Sequence, residues 1–158
     1  LPKYLQDIGW NPASFGVGLS MLMIGSAFGT VIGGSLADRC GRRKIVAGSM
    51  FLAAIPLWIY HETSGLVFFA LIHLIGLLTG AGFAVTVVMA QAMLPGKKAL
   101  ASGLALGFIF ASGAIGAAFA GWVGDQIGLA LVLQGMALVA IVSGICALML
   151  PPTTPSAD

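Results

Sequence analysis

The sequence predicts an all-α membrane protein in which five helices cross the bilayer, and three observations support this prediction. Apolar residues make up 59% of the 158 positions and charged residues 8%, whereas about a quarter of the residues in a soluble domain are charged. Five apolar runs, each close to the length that crosses about 30 Å of hydrocarbon, are separated by charges, Pro or Gly. The basic residues cluster at the ends of these runs, which is typical of topology signals.

The five runs predict spans at about 14–36, 44–60, 66–94, 99–123 and 128–150. The first follows the turn signal Asn11-Pro12, since Pro is favoured at the start of a helix. The second is short and contains Pro56, so it spans only if its leading basic side chains reach back to the headgroups. The third is longer than the bilayer requires, which favours a tilt or a bend. Pro151-Pro152 ends the fifth, and residues 151–158 are expected to form a disordered tail.

Lysine and arginine predict the orientation of these spans. Because five spans alternate in direction, the stretches 38–44 and 95–98 lie on one side of the membrane, and 60–65 and 124–127 lie on the other. The first side holds six basic residues, which are Arg39, Arg42, Arg43, Lys44, Lys97 and Lys98. Only Lys3 falls on the second side. The positive-inside rule therefore predicts an inner (plasma) membrane protein whose stretches 38–44 and 95–98 and carboxy terminus are cytoplasmic.

A charged turn occurs once in full and once as a partial repeat. Residues 34–44 read Gly-Ser-Leu-Ala-Asp-Arg-Cys-Gly-Arg-Arg-Lys, and residues 121–128 repeat the Gly-x-x-x-Asp-x-x-Gly frame without the arginines. Gly and Asp are common turn residues, so the frame alone is not specific. Three spans separate the two copies, however, and an odd number places them on opposite faces. This arrangement is typical of an inverted-topology repeat of three-helix units.

The segment Gly34-x-Leu36-Ala37-Asp38-Arg39-x-Gly41-Arg42-Arg43 resembles the G-x-L-A-D-R-x-G-R-[KR] signature of the major facilitator superfamily at every specified position. The resemblance covers essentially the whole chain and aligns the five spans with helices eight to twelve of a twelve-helix transporter. Residues 1–150 would then be the carboxy-terminal half of the transporter, without most of the first helix of that half. Leu1 to Leu5 would be the end of that helix. Three patches are similar to the fosmidomycin-resistance type of drug exporter: 29–34, 90–96 and 102–108.

This resemblance implies a secondary active transporter that works by alternating access. In the family, the acidic residue of this turn interacts with a nearby arginine and with the end of a helix from the opposite half, and these contacts favour one conformational state. Asp38 and Arg42 are therefore expected to be gating residues. The alternative is that the turn only sets topology, which fits Arg43 and Lys44 well. The signature set as a whole is Gly34, Leu36, Asp38, Arg39, Gly41, Arg42 and Arg43.

Candidates for substrate contact follow from the resemblance, because the family lines its central cavity with helices seven, eight, ten and eleven. The candidates are His73, Thr79, Thr86, Gln91 and Ser112. The alternative for the hydroxyls is a bond to their own helix backbone, and for Gln91 it is a contact with headgroups. No Asp, Glu, Lys or Arg falls in the middle of a predicted span. If transport is proton-coupled, as the resemblance implies, the coupling carboxylate is expected in the amino-terminal half.

Glycines at four-residue spacing predict close helix packing. Small residues let helix backbones approach each other, and lipid offers no hydrophobic drive for helices to associate. The pairs are Gly29 with Gly33, Gly76 with Gly80, and Gly103 with Gly107.

The sequence argues against several other functions. It contains no constellation of nucleophile, base and acid, no metal-ligand cluster and no cofactor motif, so we expect neither an enzyme nor a bound metal or cofactor. Cys40 and Cys146 have no disulfide or metal spacing and are interpreted as free thiols. The net charge of +2 is too small to indicate nucleic acid binding.

The function that we expect is proton-coupled export of a drug or another small molecule. The first residue is Leu1 and not Met, so we expect an amino-terminal half of the same transporter as a partner, besides the lipid bilayer, the substrate and protons. Two alternatives stay open. One is an importer of metabolites, sugars or organic anions from the same superfamily, and the other is a stand-alone membrane scaffold or channel subunit.

Overall fold

The computed structural model describes residues 12–63, 65–94 and 96–150. The predictions for Leu1 to Leu5 and for residues 151–158 lie outside them. The described ranges form five α-helices and one 3₁₀ turn, Tyr60–Glu62, and they contain no strand. The helices are α1 Pro12–Cys40, α2 Arg42–Ile59, α3 Leu66–Met93, α4 Lys98–Ile127 and α5 Leu129–Leu148. The all-α fold predicted from the sequence is confirmed.

Four of the five helices are long and apolar enough to cross a membrane. These stretches are Gly16–Cys40, Leu66–Met93, Lys98–Ile127 and Ala130–Leu148. Helix α2 is not among them, because it has only 18 residues and three of these are the basic side chains at its start. At 1.5 Å per residue it is about 27 Å long, slightly less than the hydrocarbon layer. Its role as the fifth span stays a prediction.

The structure makes the two predicted turns much shorter than the sequence suggested. Helix α1 continues through Cys40 and α2 begins at Arg42, so Gly41 alone lies between them. Gly41 has φ 94° and ψ 132°, a conformation that side chains with a Cβ resist. Gly128, the equivalent residue of the partial repeat, likewise separates α4 from α5 with φ 93° and ψ 140°. Most of each glycine-bounded frame is therefore helical, and one glycine at its end reverses the chain.

Helix α1 packs most extensively against α3, and α2 packs against α5 and α3. Helix α4 touches α3 and α5 much less, and Ala101 and Gly124 are its only buried residues in the described part of the chain. The α1–α3 pair is parallel, since Gly25 lies against His73 and Gly29 lies against Leu77. The bundle thus contains a tightly joined pair, α1 with α3, and one helix, α4, that makes few contacts within the described ranges.

Two apolar clusters hold opposite ends of the bundle together. The cluster at the signature end, the end at which α1 meets α2, joins α1, α2, α3 and α5 through Ala37, Val46, Ala47, Val85, Met89 and Ala147. The cluster at the far end joins the 3₁₀ turn, α3 and α5 through Tyr60, Phe68, Ile72, Ile75 and Leu133. Both clusters bury apolar side chains on the same four-helix unit, and neither includes a residue of α4.

Candidate functional site

The signature residues occupy the last turns of α1 and the first turn of α2. Asp38 and Arg39 are exposed in the last turn of α1, while Arg42 and Arg43 are half-buried at the start of α2. Gly41 lies between them, and its N–H donates to the carbonyl of Ala37 at 3.0 Å. This bond extends the hydrogen-bonding of α1 by one residue and fixes where the chain turns. The turn therefore presents one carboxylate and three guanidinium groups within six residues.

Most of these charges have the wrong sign for the helix ends on which they lie. A carboxylate is disfavoured at a helix carboxy terminus, where the free carbonyls carry partial negative charge, and Asp38 lies there. Cations are disfavoured at a helix amino terminus, yet α2 begins with Arg42, Arg43 and Lys44 and has no acidic residue in its first turn. Arg39 alone fits its position. Helix stability does not account for this arrangement, so topology or function must.

A small cavity of about 160 Å³ lies beside Asp38 and Arg42. Its other walls are apolar and come from α1 and α3. They are Gly34, Ala37, Ala84, Val85 and Val88. A Cβ at Gly34 would meet no atom within 4 Å, so the space beside this glycine is open. The cavity thus combines an apolar floor with a carboxylate and a guanidinium. We call it the signature pocket.

Asp38 and Arg42 border the same pocket but do not form an ion pair. Within the described ranges, the Asp38 carboxylate makes no hydrogen bond and has no cationic nitrogen within 4.0 Å. The contact with a nearby arginine that the family resemblance implies is therefore not formed in this structure. The acidic residue of the repeat, Asp125, differs in having a polar partner. The charge of Asp38 is consequently available to a group from outside the described residues.

The five polar candidates for substrate contact have their hydrogen-bond partners outside the group. No hydrogen bond joins any two of the five in the part of the chain that the structure describes. Three of their hydroxyls instead donate to carbonyls of their own helices: Thr79 to Ile75 at 2.8 Å, Thr86 to Gly82 at 2.8 Å and Ser112 to Ile109 at 3.1 Å. These are the local bonds expected of Ser and Thr in membrane helices. Each oxygen keeps a lone pair that a ligand could use.

The other two candidates, Gln91 and His73, form bonds between helices. The Gln91 amide donates to the Ser102 hydroxyl at 2.8 Å, and that hydroxyl donates to the carbonyl of Lys98 at 2.9 Å. This chain joins the end of α3 to the start of α4. The His73 Nδ1 lies 3.0 Å from the carbonyl oxygen of Met21 on α1. Sequence periodicity does not reveal these partners, because each belongs to a different helix.

The glycine pairs differ sharply in their surroundings. A Cβ at Gly29, Gly33, Gly76 or Gly80 would lie less than 3 Å from backbone atoms of the facing helix. These four line the contact between α1 and α3. A Cβ at Gly103 or Gly107 on α4 would meet nothing within 4 Å. Close packing at these two positions stays a prediction that needs a partner from outside the described residues.

Comparison of the sequence with known proteins identifies a family. The family model described as Major Facilitator Superfamily matches residues 1–158. The uncharacterized MFS-type transporter YfnC of Bacillus subtilis is 40% identical over 132 residues, which are 83% of this chain and 32% of that protein. The fosmidomycin resistance protein of Escherichia coli is 31% identical over 152 residues, which are 93% of this chain and 36% of that protein.

A human protein is also similar to this chain. The voltage-gated purine nucleotide uniporter SLC17A9 is 31% identical over 133 residues, which are 77% of this chain and 30% of that protein. The chain thus spans about a third of the length of the curated relatives that it matches. No solved structure matches it significantly.

Proposed function

Because the chain belongs to the Major Facilitator Superfamily, we propose that it is part of a secondary active transporter that exports a small molecule by alternating access. The likeness to a fosmidomycin resistance protein over 93% of the chain supports export. Coupling to protons, which the family resemblance implies, is part of the proposal, since a secondary transporter moves a solute against its gradient only by using a second gradient. The part of the polypeptide beyond this chain would complete the pathway, because the relatives are about three times as long.

The signature pocket is the proposed gate. Asp38 has no described partner and carries its charge at an unfavourable helix end. A helix amino terminus from the opposite half, with its partial positive charge, would stabilise that carboxylate. An apolar side chain of the same segment would fill the space beside Gly34 and Val88. Closing the pocket would favour the state that is shut at the signature end, and opening it would favour the other state.

The proposed orientation places the signature end in the cytoplasm. The starts of α2 and α4 carry Arg42, Arg43, Lys44, Lys97 and Lys98, and the described part of the opposite side carries no Lys or Arg. This distribution supports the positive-inside assignment. The assignment requires α2 to cross the bilayer. The basic side chains at the start of α2 allow this, because they can reach the headgroups.

The experiment that tests the gate replaces Asp38 with Asn in the complete transporter. Asp38→Asn keeps the shape of the side chain and removes its charge, so we expect transport to fall while the amount of protein in the membrane stays constant. Cys40→Ser is the matched control, since Cys40 is exposed in the same turn, and it should leave transport unchanged. Unchanged transport in Asp38→Asn would contradict the gating role.

A second candidate function is facilitated movement of an organic anion. It is favoured by the likeness to the nucleotide uniporter, a protein that is 31% identical over 77% of this chain. The two functions differ in direction and energetics. Cells that carry the complete transporter should gain resistance to an exported antibiotic under the first, whereas vesicles should take up a labelled anion without a proton gradient under the second.

A further inference from the structure

The contact between α1 and α3 is made by backbone, which leaves little freedom for the two helices to shift. Gly25 and Gly29 of α1 lie against the carbonyls of His73 and Leu77, while Gly76 and Gly80 of α3 lie against the carbonyls of Leu22 and Ser26. The contacts are reciprocal and recur every four residues. Because no side chain separates the backbones here, a change of register would force glycines against bulkier neighbours. The pair is therefore built for one fixed arrangement.

One full hydrogen bond crosses this contact in the described part of the chain. The His73 Nδ1 donates to the carbonyl oxygen of Met21 at 3.0 Å. Thr30 approaches the carbonyl of Gly80 at 3.4 Å, but its single proton goes to the carbonyl of Ser26 at 2.8 Å. The second approach is too long to add much. The imidazole of His73 is thus the side chain that ties α3 to α1.

The bond fixes which nitrogen of the His73 ring donates. A carbonyl oxygen only accepts, so Nδ1 must carry the proton, and a neutral ring then has its lone pair on Nε2. No Asp, Glu, Lys or Arg occurs within 16–36 or 66–94, so no charge on either helix within these ranges competes for the ring. The described contact of His73 is therefore a donor bond from Nδ1.

We propose that His73 is a positioning residue whose Nδ1 holds α3 on α1, so that the two helices move as a single body during alternating access. The inference rests on the proposed transport function. It assigns His73 a role between helices in place of direct contact with substrate.

The test uses two isosteric variants in the complete transporter. Asn places its amide nitrogen near the position of Nδ1, whereas Gln places it near the position of Nε2. We expect His73→Asn to keep most of the transport rate and His73→Gln and His73→Leu to lose it severalfold. The reverse order, with Gln active and Asn inactive, would mean that Nε2 meets substrate or proton and would overturn the proposal. Full activity in all three variants would overturn it too.

A distance measurement covers the case in which His73→Leu does not fold. Spin labels at Val31→Cys and Val67→Cys, both exposed on α1 and α3, are placed in a protein that carries Cys40→Ser and Cys146→Ser. Their separation should be the same in the inward-open and outward-open states. A change in this separation between the two states would overturn the proposal. A wild-type protein that transports nothing would instead contradict the proposed function.

Discussion

Gly41 and Gly128 end two different helices with the same backbone conformation. Their φ angles are 94° and 93° and their ψ angles 132° and 140°. Each N–H donates to the carbonyl four residues before it, Gly41 to Ala37 and Gly128 to Gly124, both at 3.0 Å. The two positions occupy the same place in the Gly-x-x-x-Asp-x-x-Gly frame. The partial repeat in the sequence therefore has a structural counterpart at its final glycine.

This shared conformation predicts that replacing either glycine lowers the free energy of unfolding by a similar amount. Gly41→Ala and Gly128→Ala should each destabilise the protein by about 1–3 kcal/mol, because a Cβ is strained at these positive φ values. Gly48→Ala is the control, since Gly48 is helical and a Cβ there meets nothing within 4 Å. It should be neutral or stabilise by up to about 1 kcal/mol. Thermal unfolding in detergent measures all three, and equal midpoints would refute the prediction.

The α1–α3 contact predicts a larger effect for glycines that lie against backbone. Gly29→Ala and Gly80→Ala should cost about 1–3 kcal/mol or more, because the facing carbonyls cannot move aside as a side chain would. Gly135→Ala on α5, where a Cβ meets nothing within 4 Å, is the matched control. The same unfolding assay applies. If Gly29→Ala is as stable as Gly135→Ala, the two backbones are not in contact.

The signature pocket predicts a variant that folds well but transports poorly. A Cβ at Gly34 meets no atom within 4 Å, so Gly34→Ala should not lower the unfolding midpoint. The added methyl group reduces the space in a cavity of about 160 Å³. Transport by the complete protein should therefore fall if a side chain from the opposite half must enter. Normal transport in Gly34→Ala would show that the pocket receives nothing.

The orientation can be tested with the exposed thiol of Cys40. In a protein that carries Cys146→Ser, a membrane-impermeant maleimide should label Cys40 in inside-out vesicles and not in intact cells. The physical reason is the cluster of basic residues around this turn, which favours the cytoplasmic side. Labelling in intact cells would place the signature end outside and invert the topology.

Sequence patterns predicted the helices well because a membrane helix depends on the residues of one continuous stretch of chain. Apolar runs of more than 18 residues have only one stable form in lipid, and the positions of α1, α3, α4 and α5 follow from it. The helix ends were predicted less well. Residues 37–40 read as a charged turn, yet they remain helical because Gly41 alone reverses the chain. Charged residues near a membrane surface do not by themselves end a helix.

The candidate site was harder to predict because its geometry is not local. Asp38 and Arg42 were expected from the signature, but the walls formed by Ala84 and Val88 come from α3 and are invisible to spacing along α1. His73 stood out as a titratable residue within a span, while its partner is a backbone carbonyl that no sequence pattern marks. Contacts between helices depend on how they cross, and one sequence does not specify that.

The most direct test of the gate compares the reactivity of one cysteine in the presence and absence of the Asp38 charge. Val88→Cys, which lines the signature pocket and is 40% exposed, is placed in the complete transporter together with Cys40→Ser and Cys146→Ser. If the Asp38 contact stabilises the closed state by about 1.4 kcal/mol, its loss changes the ratio of the two states tenfold. Maleimide labelling at Val88→Cys should then be several times faster in Asp38→Asn. An unchanged labelling rate would contradict the gate.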